Sequence, residues 1–125
     1  MRYLILLVFS FSATAWIACD KEETGAPEIV FTAPIAGEVF NSGDTIRFSA
    51  TVKDDDLRYI GWAVIIDSNS NVLTGFTDTL SLKNVVYSSK FVINTERFAD
   101  YKIRITAGDK SGNINIANRA ISVRP

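Results

Sequence analysis

Four aspartates are the residues whose type and spacing point most directly to chemistry. The run Asp54-Asp55-Asp56 follows a strongly alternating segment, and Asp109 begins the turn-forming stretch 109–113. If both segments end at the same edge of a β-domain, their carboxylates gather there, and calcium takes about 6 to 8 oxygen ligands of this kind. Asp54, Asp56 and Asp109 are therefore candidate calcium ligands. Because the ligand order of an EF-hand is absent, we favour the simpler interpretation, a solvated loop and a turn capped by Asp109.

The amino-acid composition excludes most other kinds of catalytic, metal-binding and nucleic-acid-binding site. The chain has no histidine and one cysteine, so a Ser-His-Asp triad, a Cys-His dyad and a Cys- or His-rich zinc site all lack their parts. No motif pairs carboxylates as glycosidases do. With 13 basic and 14 acidic side chains the net charge is -1, which provides no cationic field for a nucleic acid. We predict a non-catalytic protein without a cofactor, calcium apart, that binds no nucleic acid.

The one cysteine, Cys19, ends an N-terminal segment with the form of an export signal. Arg2 is followed by an uncharged stretch, 4–18, which fits the apolar region of a signal peptide and falls short of the about 20 residues that cross a bilayer. Residues 16–19, Trp-Ile-Ala-Cys, resemble a bacterial lipobox, which implies that the thiol receives a diacylglycerol, the chain is cut before the cysteine, and the new amino group is acylated by a fatty acid such as palmitate. The alternative cut after the A-x-A sequence 13–15 would leave an unpaired, reactive thiol. We predict a signal peptide over 1–18 and lipid attachment at Cys19.

A charged segment follows the cysteine. Lys21, Glu22 and Glu23 resemble the export tag of surface-exposed lipoproteins in some Gram-negative bacteria. The alternative is a solvated tether with no sorting role. We expect residues 19–26 to form an acidic tether on the outer membrane of the bacterial envelope, and the tag, if it acts, to place the domain on the cell surface.

Beyond the tether, residues 27–125 have the length of one domain and the pattern of β-strands. Apolar and polar residues alternate with period two between turn signals, and no long helical period occurs. The predicted strands are 28–32, 45–53, 60–66, 72–79, 85–87, 91–93, 101–107 and 113–123. Pro27 and Pro34 flank the first of these, which indicates an edge strand.

The place of four aromatic residues in this pattern indicates whether they lie in the core or at the surface. Trp62 shares its side of a strand with apolar neighbours, which predicts that it packs in the core. Tyr59, Phe76 and Tyr87 lie in less regular segments, so we expect any patch that faces a partner to include them.

The segments 34–52 and 99–113 carry a resemblance to a known family. Pro34, Gly37, the sequence Gly-Asp-Thr-Ile at 43–46, and the sequence Ala-Asp-Tyr-Lys-Ile-Arg-Ile-Thr-Ala-Gly-Asp-Lys-Ser-Gly-Asn at 99–113 are similar to bacterial immunoglobulin-like and cadherin-like modules of envelope proteins. The likeness implies an all-β, immunoglobulin-like Greek-key sandwich of about seven strands. Because the chain has one cysteine, it has no disulfide pair, and we expect the core to rest on packing alone.

Together these features predict a lipid-anchored envelope module that binds a protein or a glycan. Two other roles remain open: a structural or accessory subunit of a larger outer-membrane complex, and a calcium-dependent adhesive module.

Overall fold

The structure is a computed structural model and describes residues 25–79 and 83–125. Within these ranges the regular elements are eight strands. They are β1 (Glu28–Ala33), β2 (Glu38–Asn41), β3 (Thr45–Lys53), β4 (Leu57–Ile66), β5 (Val72–Thr79), β6 (Asn84–Val92), β7 (Ala99–Asp109) and β8 (Ile114–Arg124). No helix in the described ranges is long and apolar enough to cross a membrane.

The strands form two sheets that pack face to face. One sheet has the order β1-β3-β6 and the other has the order β2-β8-β7-β4-β5. All neighbours are antiparallel except β2 and β8, which run parallel. The chain crosses between the sheets after β1, β2, β3, β5 and β6, as in immunoglobulin-like Greek-key sandwiches. The predicted fold class is confirmed.

Alternation along the central strands builds the core. Strand β3 places Ile46, Phe48, Ala50 and Val52 inward, and all four are buried. The inward residues of β4 and β7 face them, and those of β8 complete the layer. Burial of each large apolar side chain contributes about 1.5 to 3 kcal/mol, so packing can hold the sandwich without a disulfide.

Two strands differ from the sequence prediction. Strand β2 was not predicted, because four residues are too few to show a period. It is held by parallel pairing with β8, which the sequence pattern does not reveal. The segments 85–87 and 91–93, predicted as separate strands, are one strand, β6, since the intervening residues Ser88, Ser89 and Lys90 pair with β3 in unbroken register. The prediction that β1 is an edge strand is confirmed.

The two ends of the sandwich carry different connections. The β3–β4 and β7–β8 turns lie at the end where the described chain begins, since Glu28 pairs with Lys53 and Leu57 with Asp109. We call this the N-terminal end. The β2–β3, β4–β5 and β6–β7 connections lie at the opposite, C-terminal end, where Asn41 pairs with Arg124.

The two open sides between the sheets differ in whether a side chain covers them. Between β1 and β8, Arg119 places its guanidinium carbon 5.2 Å from the centroid of the Phe31 ring and donates from Nη2 to the Phe31 carbonyl at 3.5 Å. This side is therefore filled by a side chain that packs on an aromatic ring. The side between β5 and β6 has no such cover within the described chain.

Candidate interaction surface

Strand β5 is an exposed edge of the five-stranded sheet. Within the described chain it pairs with β4 alone, and every residue except Asp78 is exposed. Both ends of the strand carry features that hinder pairing with a further strand. The pairing register shifts between Val64 and Ile65 of β4, and Asp78 faces the other sheet. The stretch 74–77 between them contains no Lys, Arg or Pro, the residues that natural edge strands use against unwanted pairing. Its outer backbone groups can therefore accept a further strand.

Aromatic side chains line the open side next to this edge. The Trp62 ring stacks on Phe91 with a centroid separation of 5.9 Å and an interplanar angle of 27°, and it lies 5.1 Å from the Phe48 ring. Phe76 is the cross-strand neighbour of Trp62 on β5 and is 60% exposed. A cavity of about 590 Å³ lies beside them, lined by Trp62, Leu73, Thr74, Lys90, Phe91, Val92, Ile93 and Asn94. We call this cavity the aromatic cleft. It could take an apolar side chain of a strand laid along β5.

The prediction that Trp62 packs in the core is confirmed by these contacts, although the indole is only partly buried. Phe76 is exposed as expected. Tyr59 is half-buried, because its ring lies over Gly108 of β7, where an added Cβ would lie 2.6 Å from the Tyr59 Cζ. The aromatic ring thus covers the backbone that the glycine leaves bare.

The expectation that Tyr87 faces a partner is wrong. Tyr87 is 8% exposed, and its hydroxyl donates to Asp78 Oδ2 at 3.4 Å, which ties β6 to β5. Burial raises the pKa of the Tyr87 hydroxyl to about 12, and the charge of Asp78 and the hydrogen bond to it add to the effect. The hydroxyl therefore stays protonated and continues to donate at neutral pH.

The candidate calcium ligands lie at the N-terminal end, where each carboxylate is engaged by a neighbouring group of the turns. Asp54 Oδ2 accepts from the Asp56 backbone N–H at 3.0 Å. Asp56 Oδ1 lies 3.1 Å from the Lys110 ammonium. Within the described ranges no group of three or more acidic, histidine or cysteine side chains could hold a metal ion. The geometry brings Asp54 and Asp56 together but places Lys110 against Asp56, so the calcium site stays a prediction without support from the fold.

Asp109 is committed to the β7–β8 turn. Its Oδ1 accepts from the Asn113 backbone N–H at 2.9 Å and its Oδ2 from Asn113 Nδ2 at 3.0 Å. Burial works to raise the pKa of the Asp109 carboxyl, but the hydrogen bonds from Asn113, Ser111 and Gly112 outweigh it, so the pKa lies below the ordinary value of 3.8. The carboxylate is ionised at neutral pH and its oxygens are occupied, as the simpler interpretation of this turn expects.

Cys19, Lys21, Glu22 and Glu23, predicted to carry the lipid and the export tag, lie outside the described residues. Signal peptide, anchor and tag remain predictions from the sequence.

Neither a protein-family model nor a curated protein matches the chain. Solved structures do. The chain is similar to fibronectin(III)-like modules of CbhA from Clostridium thermocellum, with 20% identity over 77% of this chain and 94% of that one and a TM-score of 0.55. It is also similar to part of an engineered protein, with 12% identity over 79% of this chain and 20% of that one and a TM-score of 0.58. At these identities the likeness shows the fold, an immunoglobulin-like or fibronectin-like module.

Sequence reasoning missed Leu73, Lys90 and Phe91 as lining residues. The period-two pattern assigns Phe91 to the inner face, together with Tyr87. It does not show that β5 and β6 both lie at sheet edges on the same side, and this placement is what opens the cleft.

Proposed function

We propose that this chain is a lipid-anchored, non-catalytic module of the bacterial envelope that binds an extended segment of a partner protein along β5. The observation that carries the proposal is the edge of β5: a fully paired strand on one side, with a central stretch free of Lys, Arg and Pro on the other. Adding a strand to such an edge supplies main-chain hydrogen bonds for affinity, while pockets for alternate side chains supply specificity.

The aromatic cleft favours a protein segment over a glycan. A sugar ring stacks on an open aromatic face, but the Trp62 indole is already stacked on Phe91 and packed beside Phe48. What remains open is a recess next to a strand edge, lined by apolar side chains together with those of Thr74, Lys90 and Asn94. An aliphatic or aromatic side chain of an added strand fits this recess, since alternate residues of that strand point towards it.

The anchor would leave the β5 edge accessible. From Cys19 to Pro27 the chain can extend at most about 28 Å, and Pro27 lies at the N-terminal end, where Asn115 Nδ2 donates to its carbonyl at 2.9 Å. The acidic β3–β4 turn would therefore lie closest to the membrane. Strand β5 runs along the side of the sandwich, so much of its length would lie away from the lipid surface.

Two charge substitutions on the five-stranded sheet test the binding edge. Phe76 on β5 is 60% exposed and Ile116 on β8 is 51% exposed, so Phe76→Glu and Ile116→Glu each put one carboxylate on a solvent-exposed apolar position. We expect stoichiometric co-purification of one envelope protein with the wild-type lipoprotein and with Ile116→Glu, and its loss with Phe76→Glu. Equal retention by both variants would reject β5 as the binding edge. Retention of the wild-type protein on a glycan array would indicate that the partner is a glycan and not a protein.

Protease treatment of intact and lysed cells tests the location. An outward-facing domain is cleaved in intact cells, whereas a periplasmic one is cleaved only after lysis. Replacement of Lys21, Glu22 and Glu23 together by Ala should move the domain from the first class to the second if the tag sorts it.

A further inference from the structure

The outer face of the three-stranded sheet holds two cations in direct opposition. Arg47 on β3 and Lys90 on β6 are cross-strand partners in the antiparallel register, and both are exposed. Partners of this kind have Cβ atoms about 4.5 to 5.5 Å apart, and like charges so placed destabilise a sheet. Without a bound anion, the repulsion between the two side chains lowers the stability of the folded sheet.

No carboxylate of the described chain compensates the pair. The ion pairs within the described ranges are Lys102 with Asp67 and Lys110 with Asp56, neither of which includes Arg47 or Lys90. The one acidic residue on this face of the sheet, Glu28, pairs in register with Lys53. That position lies six residues along β3 from Arg47, which corresponds to about 20 Å.

A groove runs beside the two cations because the next row across the sheet is made of small residues. Ala33 pairs with Ser49, and Ser49 pairs with Ser88. The groove has a volume of about 460 Å³ and is lined by Ala33, Arg47, Phe48, Ser49, Ser88, Ser89 and Lys90. On the other side of the small row, Val30 and Val86 are both exposed, and they lie in register on either side of Thr51. The groove therefore has one cationic side and a floor with hydroxyl groups, and the two exposed valines form an apolar surface beyond the small row.

We propose that this groove binds a phosphate or sulfate group carried by an organic molecule. A guanidinium can donate two parallel hydrogen bonds to such an oxyanion, and charge-assisted bonds of this type are about twice as strong as neutral ones. The Lys90 ammonium adds a second charge from the opposite strand, and the Ser49 and Ser88 hydroxyls are donors one row away. The exposed Val30 and Val86 side chains beyond the small row would contact the carbon skeleton of the ligand. The site lies on the opposite sheet from β5, so the proposal does not depend on the strand-binding function.

The test is a titration of a chain spanning residues 25–125, which contains every residue of the described hydrophobic core. Glucose 6-phosphate, inorganic phosphate and, in a separate arm, vesicles of phosphatidylglycerol or phosphatidylcholine are added at constant ionic strength. Amide NMR shifts report the soluble ligands and sedimentation reports the vesicles. We expect saturable shifts at Ser49, Ser88 and Lys90. Tighter binding of glucose 6-phosphate than of inorganic phosphate indicates a group carried by a soluble organic molecule, and binding of the anionic vesicles alone indicates a lipid headgroup. Equal affinity for the two soluble phosphates would overturn the part of the proposal that concerns the organic molecule.

Two charge-removing variants on the same strand decide whether the site is specific. Arg47→Gln should weaken binding about tenfold or more, because it removes the charge-assisted bonds. Lys53→Gln removes an equal charge from the same face of β3 and should change the affinity less than about twofold, since separated surface charges are screened. Without ligand, Arg47→Gln should melt at or above the wild-type temperature because the like-charge contact is gone. Equal weakening by both variants, or no saturable binding in any arm, would overturn the proposal.

Discussion

Replacing Phe48 by Ala should remove the centre of the aromatic core. Phe48 is 1% exposed, and its ring centroid lies 5.1 Å from Trp62, 6.2 Å from Phe91 and 6.5 Å from Tyr87. Truncation of a buried Phe costs about 3 to 5 kcal/mol through lost transfer free energy and the cavity left behind, and aromatic pairs of this geometry each add about 0.5 to 1.5 kcal/mol beyond buried area. We expect Phe48→Ala to lower the free energy of unfolding by about 4 kcal/mol.

Urea denaturation followed by Trp62 fluorescence measures this loss directly. A chain beginning at Gly25 contains Trp62 as its one tryptophan, and that indole contacts the substituted ring. For a domain of this size, 1 kcal/mol corresponds to about 4 to 8 °C in Tm, so a thermal scan should show a fall of roughly 16 to 32 °C. A small domain has about 5 to 15 kcal/mol in total, so the variant should be folded but marginal at room temperature.

Phe98→Ala is the matched control. It is the same chemical change at a side chain that is 61% exposed, and surface substitutions of this kind usually stay within about 0.5 kcal/mol of the wild type. A loss below about 1.5 kcal/mol for Phe48→Ala, or equal losses for the two variants, would refute the assignment of Phe48 to the centre of the core.

Three further changes test other parts of the molecule. Cys19→Ala should release the protein from the membrane fraction, and mass spectrometry should find a diacylglycerol and an acyl chain on the wild-type residue; an unmodified wild-type thiol would contradict the anchor. Gly75→Ala should loosen β5, since the new Cβ would lie 2.7 Å from the Trp62 carbonyl oxygen. We expect the free energy of unfolding to fall by about 1 to 3 kcal/mol and amide exchange to become faster in β5 but not in β7. Unchanged exchange in β5 would count against that packing. The pKa of Tyr87 in the folded protein is raised from 10.0 to about 12, so its contribution to stability is complete below pH 10 and is lost as pH rises towards 12. Over this interval the urea midpoint should fall more steeply with pH in the wild type than in Tyr87→Phe. Parallel curves would refute the raised pKa.

The alternation of residue types was sufficient to predict most strands. Strands β3 and β5 were predicted with their observed bounds, 45–53 and 72–79. In β3 the alternation of buried and exposed side chains appears directly in the sequence. Strand β6 was divided because the polar sequence Ser-Ser-Lys at 88–90 looks like a turn when its partner strand is not known. Its continuity depends on the pairing with β3.

The surfaces proposed for binding were less predictable than the strands. Phe76 could be chosen from the sequence because its segment is irregular, but the same argument failed for Tyr87, which packs inward on the next strand. Arg47 and Lys90 are 43 positions apart in the sequence, and only the register of β3 with β6 places them opposite each other.

The sequence by itself determined the absence of a histidine-based or multi-cysteine site and the β-class of the domain, and it predicts an export address, because each of these depends on residue type or on a short period along the chain. The tertiary structure alone decided which strands are edges, which open side is closed by Arg119 and which is left as the aromatic cleft, and which surface cations meet. The physical reason is that strand pairing joins residues far apart in sequence: most of the close residue contacts in this fold are long-range, and no local pattern encodes them.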